Sequence, residues 1–142
     1  MINNEIDCKK FVQTTKYVPQ GFRSSGPTRA ALVHGTNYHN EANDHIITLA
    51  MIETEEGLDN VEKISSVDDL SGIYVGPSDL SVSLGLKPGL DRTEEIMIKA
   101  IEKIRMTCKK NAKKIGIHCL STNYLNDKFK EGFDLATIGS DI

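Results

Sequence analysis

The chain has 142 residues, 39% of them hydrophobic and 26% charged, which fits one folded globular unit and argues against disorder. Its net charge of −3 gives no bulk attraction for nucleic acid, and no apolar run approaches the ~20 residues of a membrane span. A complete eight-stranded β/α barrel takes about 250 residues, so a barrel pattern here amounts to part of one.

From Ile2 to about Lys16 the pattern is helical, with Ile2, Ile6 and Phe11 on one face. Tyr17 to Pro27 holds two prolines and two glycines, which predicts a structured loop. A short polar helix is expected over Thr36–Asn43. Ile46–Ile52 is a near-continuous apolar run, the mark of a strand buried on both faces. Glu55–Ser66 places Leu58, Val61 and Ile64 at helical spacing, and Ser71–Val75 reads as a second strand closed by Gly76 and Pro77. Asp91 with Glu94 fits a capping box ahead of the stripe Met97, Ala100, Ile101, Ile104 and Cys108. Ile115–Cys119 is a third strand. Ser121 caps a helix through Tyr124, Leu125 and Phe129, and Gly132 stops it. Asp134–Ile138 is a fourth strand. This β-α-β-α-β-α-β order with short connections predicts a parallel sheet with helical crossovers.

The three cysteines, Cys8, Cys108 and Cys119, show no CxxC spacing. No charged leader with a following apolar stretch opens the chain. Together these predict a reducing cytoplasm rather than a disulfide framework or a zinc site. The run Lys99, Lys103, Arg105, Lys109, Lys110, Lys113 and Lys114 reads as the solvated face of a helix.

Chemistry in parallel α/β folds collects at the C-terminal ends of strands. Glu53 follows the first strand, and Gly76-Pro77-Ser78-Asp79 follows the second. Two carboxylates at one rim suit a hard divalent cation completed by water and substrate oxygens. The plainer alternative is that Glu53 caps its helix and Asp79 caps a turn. Gly76 lets backbone approach a ligand closely, and nearby backbone N–H groups can hold a carboxylate, although Gly-Pro is also an ordinary turn. His118, late in the third strand, fits an acid, a base, a ligand or a packed core histidine. His34, His39 and His45 lack metal-type spacing. Arg23 either holds an anion or pins its loop.

Met51-Ile52-Glu53-Thr54, followed by Gly72-Ile73-Tyr74-Val75-Gly76-Pro77-Ser78-Asp79-Leu80-Ser81, resembles the HpcH/HpaI aldolase family of metal-dependent class II pyruvate aldolases. Lys16-Tyr17-Val18-Pro19-Gln20-Gly21-Phe22-Arg23, Glu41-Ala42-Asn43 and the closing Gly139-Ser140-Asp141 extend the resemblance over nearly the whole chain. It implies a TIM (β/α)8 barrel fold. Residues 1–142 would be the C-terminal part of one such domain, with its last four parallel strands but without the N-terminal part and the final helix. It implies Glu53 and Asp79 as metal ligands, for Mg²⁺ or Mn²⁺ first and Co²⁺ or Zn²⁺ as alternatives. It implies that the backbone at Gly76, Ser78 and Asp79 holds the pyruvate carboxylate. The implied reaction is retro-aldol cleavage of a 4-hydroxy-2-oxo acid to pyruvate and an aldehyde. The cation would chelate the 2-oxo acid and stabilise the pyruvate enolate.

Partners implied are the small 2-oxo acid, the aldehyde and further copies of the chain as a homo-oligomer. Met51 stands where several members have Gln. His118 stands where members often have Leu, a place from which it would tune specificity. The family's catalytic histidine with its aspartate partner, and its arginine, have no counterpart in the matched segments. Two alternatives follow: an enzyme of the citrate lyase β or citryl/malyl-CoA lyase type, and a metal-binding fragment without activity.

Overall fold

The computed structural model describes residues 1–26 and 28–139. The Ser140-Asp141 end of the last family motif lies outside them. Four strands form one parallel sheet: β1 (Leu49–Ile52), β2 (Gly72–Val75), β3 (Lys114–Cys119) and β4 (Leu135–Ile138). Their order in the sheet is β1-β2-β3-β4. Each strand therefore lies beside its sequence neighbour. A doubly wound sheet reverses direction at a switch point. This one never does, which is how the wall of a β/α barrel is built. The chain is α/β with the architecture of part of a barrel.

Alternation along the strands separates two faces. Ala50, Ile52, Ile73, Val75, Ile115, Ile117 and Cys119 point outward into a core under the helices, all at 3% exposure or less. The main cover is α7 (Glu95–Lys110), whose Met97, Ala100, Ile101, Ile104 and Cys108 are buried as their spacing predicts. Its lysines face solvent. Lys103 pairs with Asp59, and Lys110 with Glu62. α8 (Thr122–Glu131) starts at Ser121, whose hydroxyl accepts from the Tyr124 N–H at 3.2 Å. It stops at Gly132, whose φ of +98° suits a residue without Cβ. All three cysteines are free thiols buried in this core.

Several expectations are corrected. The first helix, α1 (Glu5–Thr15), starts at Asn4 and buries Cys8 and Val12, while Ile6 is 78% exposed. Its core face is set by the i, i+4 pair Cys8 and Val12, with the Cys8 thiol against the Ile64 carbonyl. An unforeseen α2 (Thr28–His34) precedes α3 (Tyr38–His45), which begins later than the polar pattern predicts. β1 is shorter than the apolar run, because Ile46 donates its N–H to Ala42 and so closes α3. Nor is β1 buried on both faces, since Met51 is 38% exposed on the concave side. The helix over Glu55–Ser66 is two, α4 (Glu55–Asp59) and α5 (Val61–Ser65), broken at Asn60 where ψ is 6°. Asp91 forms no capping box with Glu94. Glu94 itself precedes α7, and the Asp91 carboxylate accepts from the Leu120 and Ser121 N–H groups, each at 2.8 Å. It ties the start of α7 to the β3–α8 connection.

The Pro/Gly loop is held at Tyr17 and at Arg23. Asn43 accepts from the Tyr17 N–H at 2.7 Å and donates to the Tyr17 carbonyl at 2.9 Å. Arg23 stacks over the Tyr17 ring and donates to the Tyr38 hydroxyl. The loop-pinning alternative for Arg23 is the one the contacts describe.

Candidate functional site

The concave face carries the other strand positions: Leu49 and Met51 on β1, Tyr74 on β2, His118 on β3, Leu135 and Thr137 on β4. At its C-terminal rim is a cavity of about 490 Å³, lined by Leu49, Met51, Glu53, Tyr74, Gly76, Pro77, Ser78, Asp79, Leu90 and His118. Glu53, Gly76, Ser78, Asp79 and His118 thus all line one cavity. Another pocket, at the opposite end of β3, mixes lysines with Glu131 and Asp134.

Ile52 pairs with Val75, and Val75 with Ile117. One residue further along each strand come Glu53, Gly76 and His118, aligned across the sheet at one level. Two inter-strand spacings, roughly 10 Å of backbone, separate the first from the last. Gly76 between them has no side chain. A Cβ there would meet Glu53 Oε2 at 2.9 Å and Glu53 Cβ at 3.0 Å. The glycine is what gives the carboxylate its place.

Glu53 does not cap the following helix. Thr54 does, its hydroxyl accepting from the Gly57 N–H at 3.0 Å. The Glu53 side chain is only 11% exposed, and the α-amino group of Met1 lies 3.5 Å from its Oε1. A carboxylate so sheltered needs positive charge nearby.

The segment after β2 is more than a turn. It is the start of α6 (Pro77–Ser83), with Gly76 at its N-cap and Pro77 at the first helical position. Proline is well placed there because that N–H has no helical acceptor. Asp79 sits in the first turn, where the helix dipole favours a carboxylate. The Gly76 N–H is committed to the Ile52 carbonyl at 3.1 Å. The first-turn amides of Ser78 and Asp79 have no partner within the helix.

Two carboxylates on one cavity fit an octahedral oxygen-liking cation that keeps waters or substrate oxygens. Among the described residues no group of three His, Cys, Asp or Glu side chains is close enough to hold a metal. His118 does not form such a group with Glu53 and Asp79. Its ring Nδ1 instead contacts the Thr137 hydroxyl at 2.8 Å and the Tyr74 hydroxyl at 3.3 Å. Of the other histidines, His34 stacks on Tyr38 and His39 on Tyr17.

Tyr74 and Thr137 escape a reading of strand ends. Tyr74 shares a face with Gly76 two residues on, so alternation alone points to it. Thr137 requires the β3–β4 register, His118 opposite Thr137, which no local pattern supplies.

The HpcH/HpaI aldolase/citrate lyase family model matches residues 1–142. A hydroxypyruvate/pyruvate aldolase of Rhizorhabdus wittichii is 37% identical over 142 residues, covering 100% of this chain and 57% of that protein. A 5-keto-4-deoxy-D-glucarate aldolase of Citrobacter koseri is 30% identical, covering 99% of this chain and 55% of its own length. The crystal structure of an HpcH/HpaI aldolase/citrate lyase family protein from Burkholderia cenocepacia superposes with a TM-score of 0.88 at 25% identity, covering 99% of this chain and 56% of that one. The chain spans about half the length of the relatives it matches. With its full length matched by one family model, it belongs to the HpcH/HpaI aldolase/citrate lyase family.

Proposed function

We propose that this chain carries the cation- and oxo-acid-binding part of a divalent-metal-dependent aldolase, which cleaves 4-hydroxy-2-oxo acids to pyruvate and an aldehyde. The carrying observation is the convergence of Glu53 and Asp79 on one cavity, with Gly76 cleared to admit the Glu53 carboxylate. Glu53 and Asp79 hold Mg²⁺ or Mn²⁺. The backbone from Gly76 to Asp79 cradles the pyruvate carboxylate, with the Ser78 and Asp79 amides as its donors. His118 faces the aldehyde side. When bound, the cation supplies a Lewis acid and template that offsets negative charge developing on the substrate's keto oxygen. Residues 1–142 form the C-terminal part of a single barrel domain, and the groups that move protons come from the remainder of that domain.

The cavity lining contains no lysine or arginine. A CoA thioester substrate brings phosphates that call for such side chains, so the small oxo-acid reading is favoured over a CoA lyase.

Calorimetric binding of pyruvate to the chain, with and without added Mg²⁺ or Mn²⁺, tests the proposal. Binding that requires the cation and is lost in Glu53→Gln and Asp79→Asn is the expected result. Binding that ignores added cation, or persists in both variants, refutes it.

A further inference from the structure

The cavity has one polar pole at Glu53 and another at His118, two strands apart in the sheet. Leu49, Met51, Pro77 and Leu90 also line it. The His118 pole is not a single side chain. Tyr74, Thr137 and His118 come from three adjacent strands, and their three polar ends are mutually hydrogen bonded. Nδ1 of His118 meets Thr137 Oγ1 at 2.8 Å and Tyr74 Oη at 3.3 Å, and the two hydroxyls also contact each other. Among the described residues every hydrogen bond of the ring is made through Nδ1.

The distances leave the donor in each pair open, and one arrangement links all three groups. A phenol is a stronger donor than an aliphatic hydroxyl, so in it Tyr74 donates to Thr137 and Thr137 donates to Nδ1 of His118. With Nδ1 accepting, the neutral ring carries its proton on Nε2. In that tautomer the ring presents an N–H donor at Nε2.

We propose that Tyr74 and Thr137 are positioning residues that lock His118 as an Nε2–H donor, and that this donor recognises an acceptor oxygen on the aldehyde-derived end of the substrate. The inference rests on the aldolase reading above and adds the substrate class: aldehydes bearing a hydroxyl, carbonyl or carboxylate oxygen, rather than plain alkyl aldehydes. When the far end of the substrate covers this donor and offers it no acceptor, the donor loses water without compensation, so an alkyl end is disfavoured as well as the oxygenated end welcomed.

Two measurements on the full chain test this. The first is the ¹⁵N spectrum of the histidine rings at neutral pH, with His118 assigned by its loss in His118→Gln. The expected signature is unprotonated Nδ1 and protonated Nε2 in the parent, with a mixed tautomer in Thr137→Val and a smaller change in Tyr74→Phe. A protonated Nδ1 in the parent, or no change in Thr137→Val, overturns the lock.

The second is calorimetric binding, with Mg²⁺ present, of 5-methoxy-2-oxopentanoate and 2-oxoheptanoate. These share the chelating end and differ by an ether oxygen in place of a methylene. The expected preference for the ether is about five- to tenfold, the worth of one neutral hydrogen bond. It disappears in His118→Leu while 2-oxoheptanoate binding is retained. Equal binding in the parent, or a preference that survives in His118→Leu, overturns the specificity role alone. Failure of both acids to bind in a Mg²⁺-dependent way sinks the aldolase reading, and this inference with it.

Discussion

The two faces of the sheet are made by the same four strands and do opposite jobs. On the convex side Ile52, Val75 and Ile117 are fully buried beneath helices. On the concave side, one residue away in sequence, Met51 and His118 line an open cavity. Alternation of side chains is enough to put structure on one face and chemistry on the other. Substitutions on the two faces should therefore fail in different ways.

The largest contrast expected is in thiol chemistry. Burial pushes the Cys108 thiol up to about 12, and those of Cys8 and Cys119 up to about 11. The folded chain at pH 8 should label slowly with a thiol reagent and the unfolded chain quickly. A raised thiol favours the folded state fully below the ordinary thiol range, and that contribution fades as pH rises through 11 to 12. Fast labelling of all three thiols in the folded chain would break the convex-face account.

Next in size is Ile117→Ala, which removes a core side chain and should cost about 2–5 kcal/mol in urea unfolding. Met51→Ala on the other face should stay within about 0.5–1 kcal/mol. Equal losses would erase the distinction between the faces. Asp91→Ala removes the acceptor of two backbone N–H groups and should cost about 1–3 kcal/mol. Asp91→Asn should recover part of it, because Asn also tolerates the φ of +50° found there.

Gly76→Ala probes the rim of the concave face. It should lower Mn²⁺ affinity on the order of tenfold by displacing the Glu53 carboxylate, with a smaller effect on unfolding. Ser121→Ala, loss of one helix cap, should cost about 1 kcal/mol.

Much of the helical cover was legible beforehand. The stripe from Met97 to Cys108, the Ser121 cap and the Gly132 stop are all local signals that the fold obeys. Glu53 and the Gly76–Asp79 segment could be placed at one rim from strand ends alone. What was illegible needed long-range knowledge. Gly-Pro reads as a turn, yet Pro77 begins a helix, because proline serves either role until the next element is placed. Asp91 looks like a cap, and only the approach of the β3–α8 connection turns it into a clamp. The Tyr74–Thr137–His118 cluster depends on register across three strands. The exposure of Met51 depends on what faces the sheet, so an apolar run could not reveal it.

We propose that Glu53 and Asp79 hold the cation together. Titration of Mn²⁺ into the full chain with pyruvate present, followed by electron paramagnetic resonance of the free ion, decides it. Saturable binding, weakened roughly tenfold or more in both Glu53→Gln and Asp79→Asn with folded circular dichroism retained, is the predicted result. Parent-like affinity in both variants would contradict it.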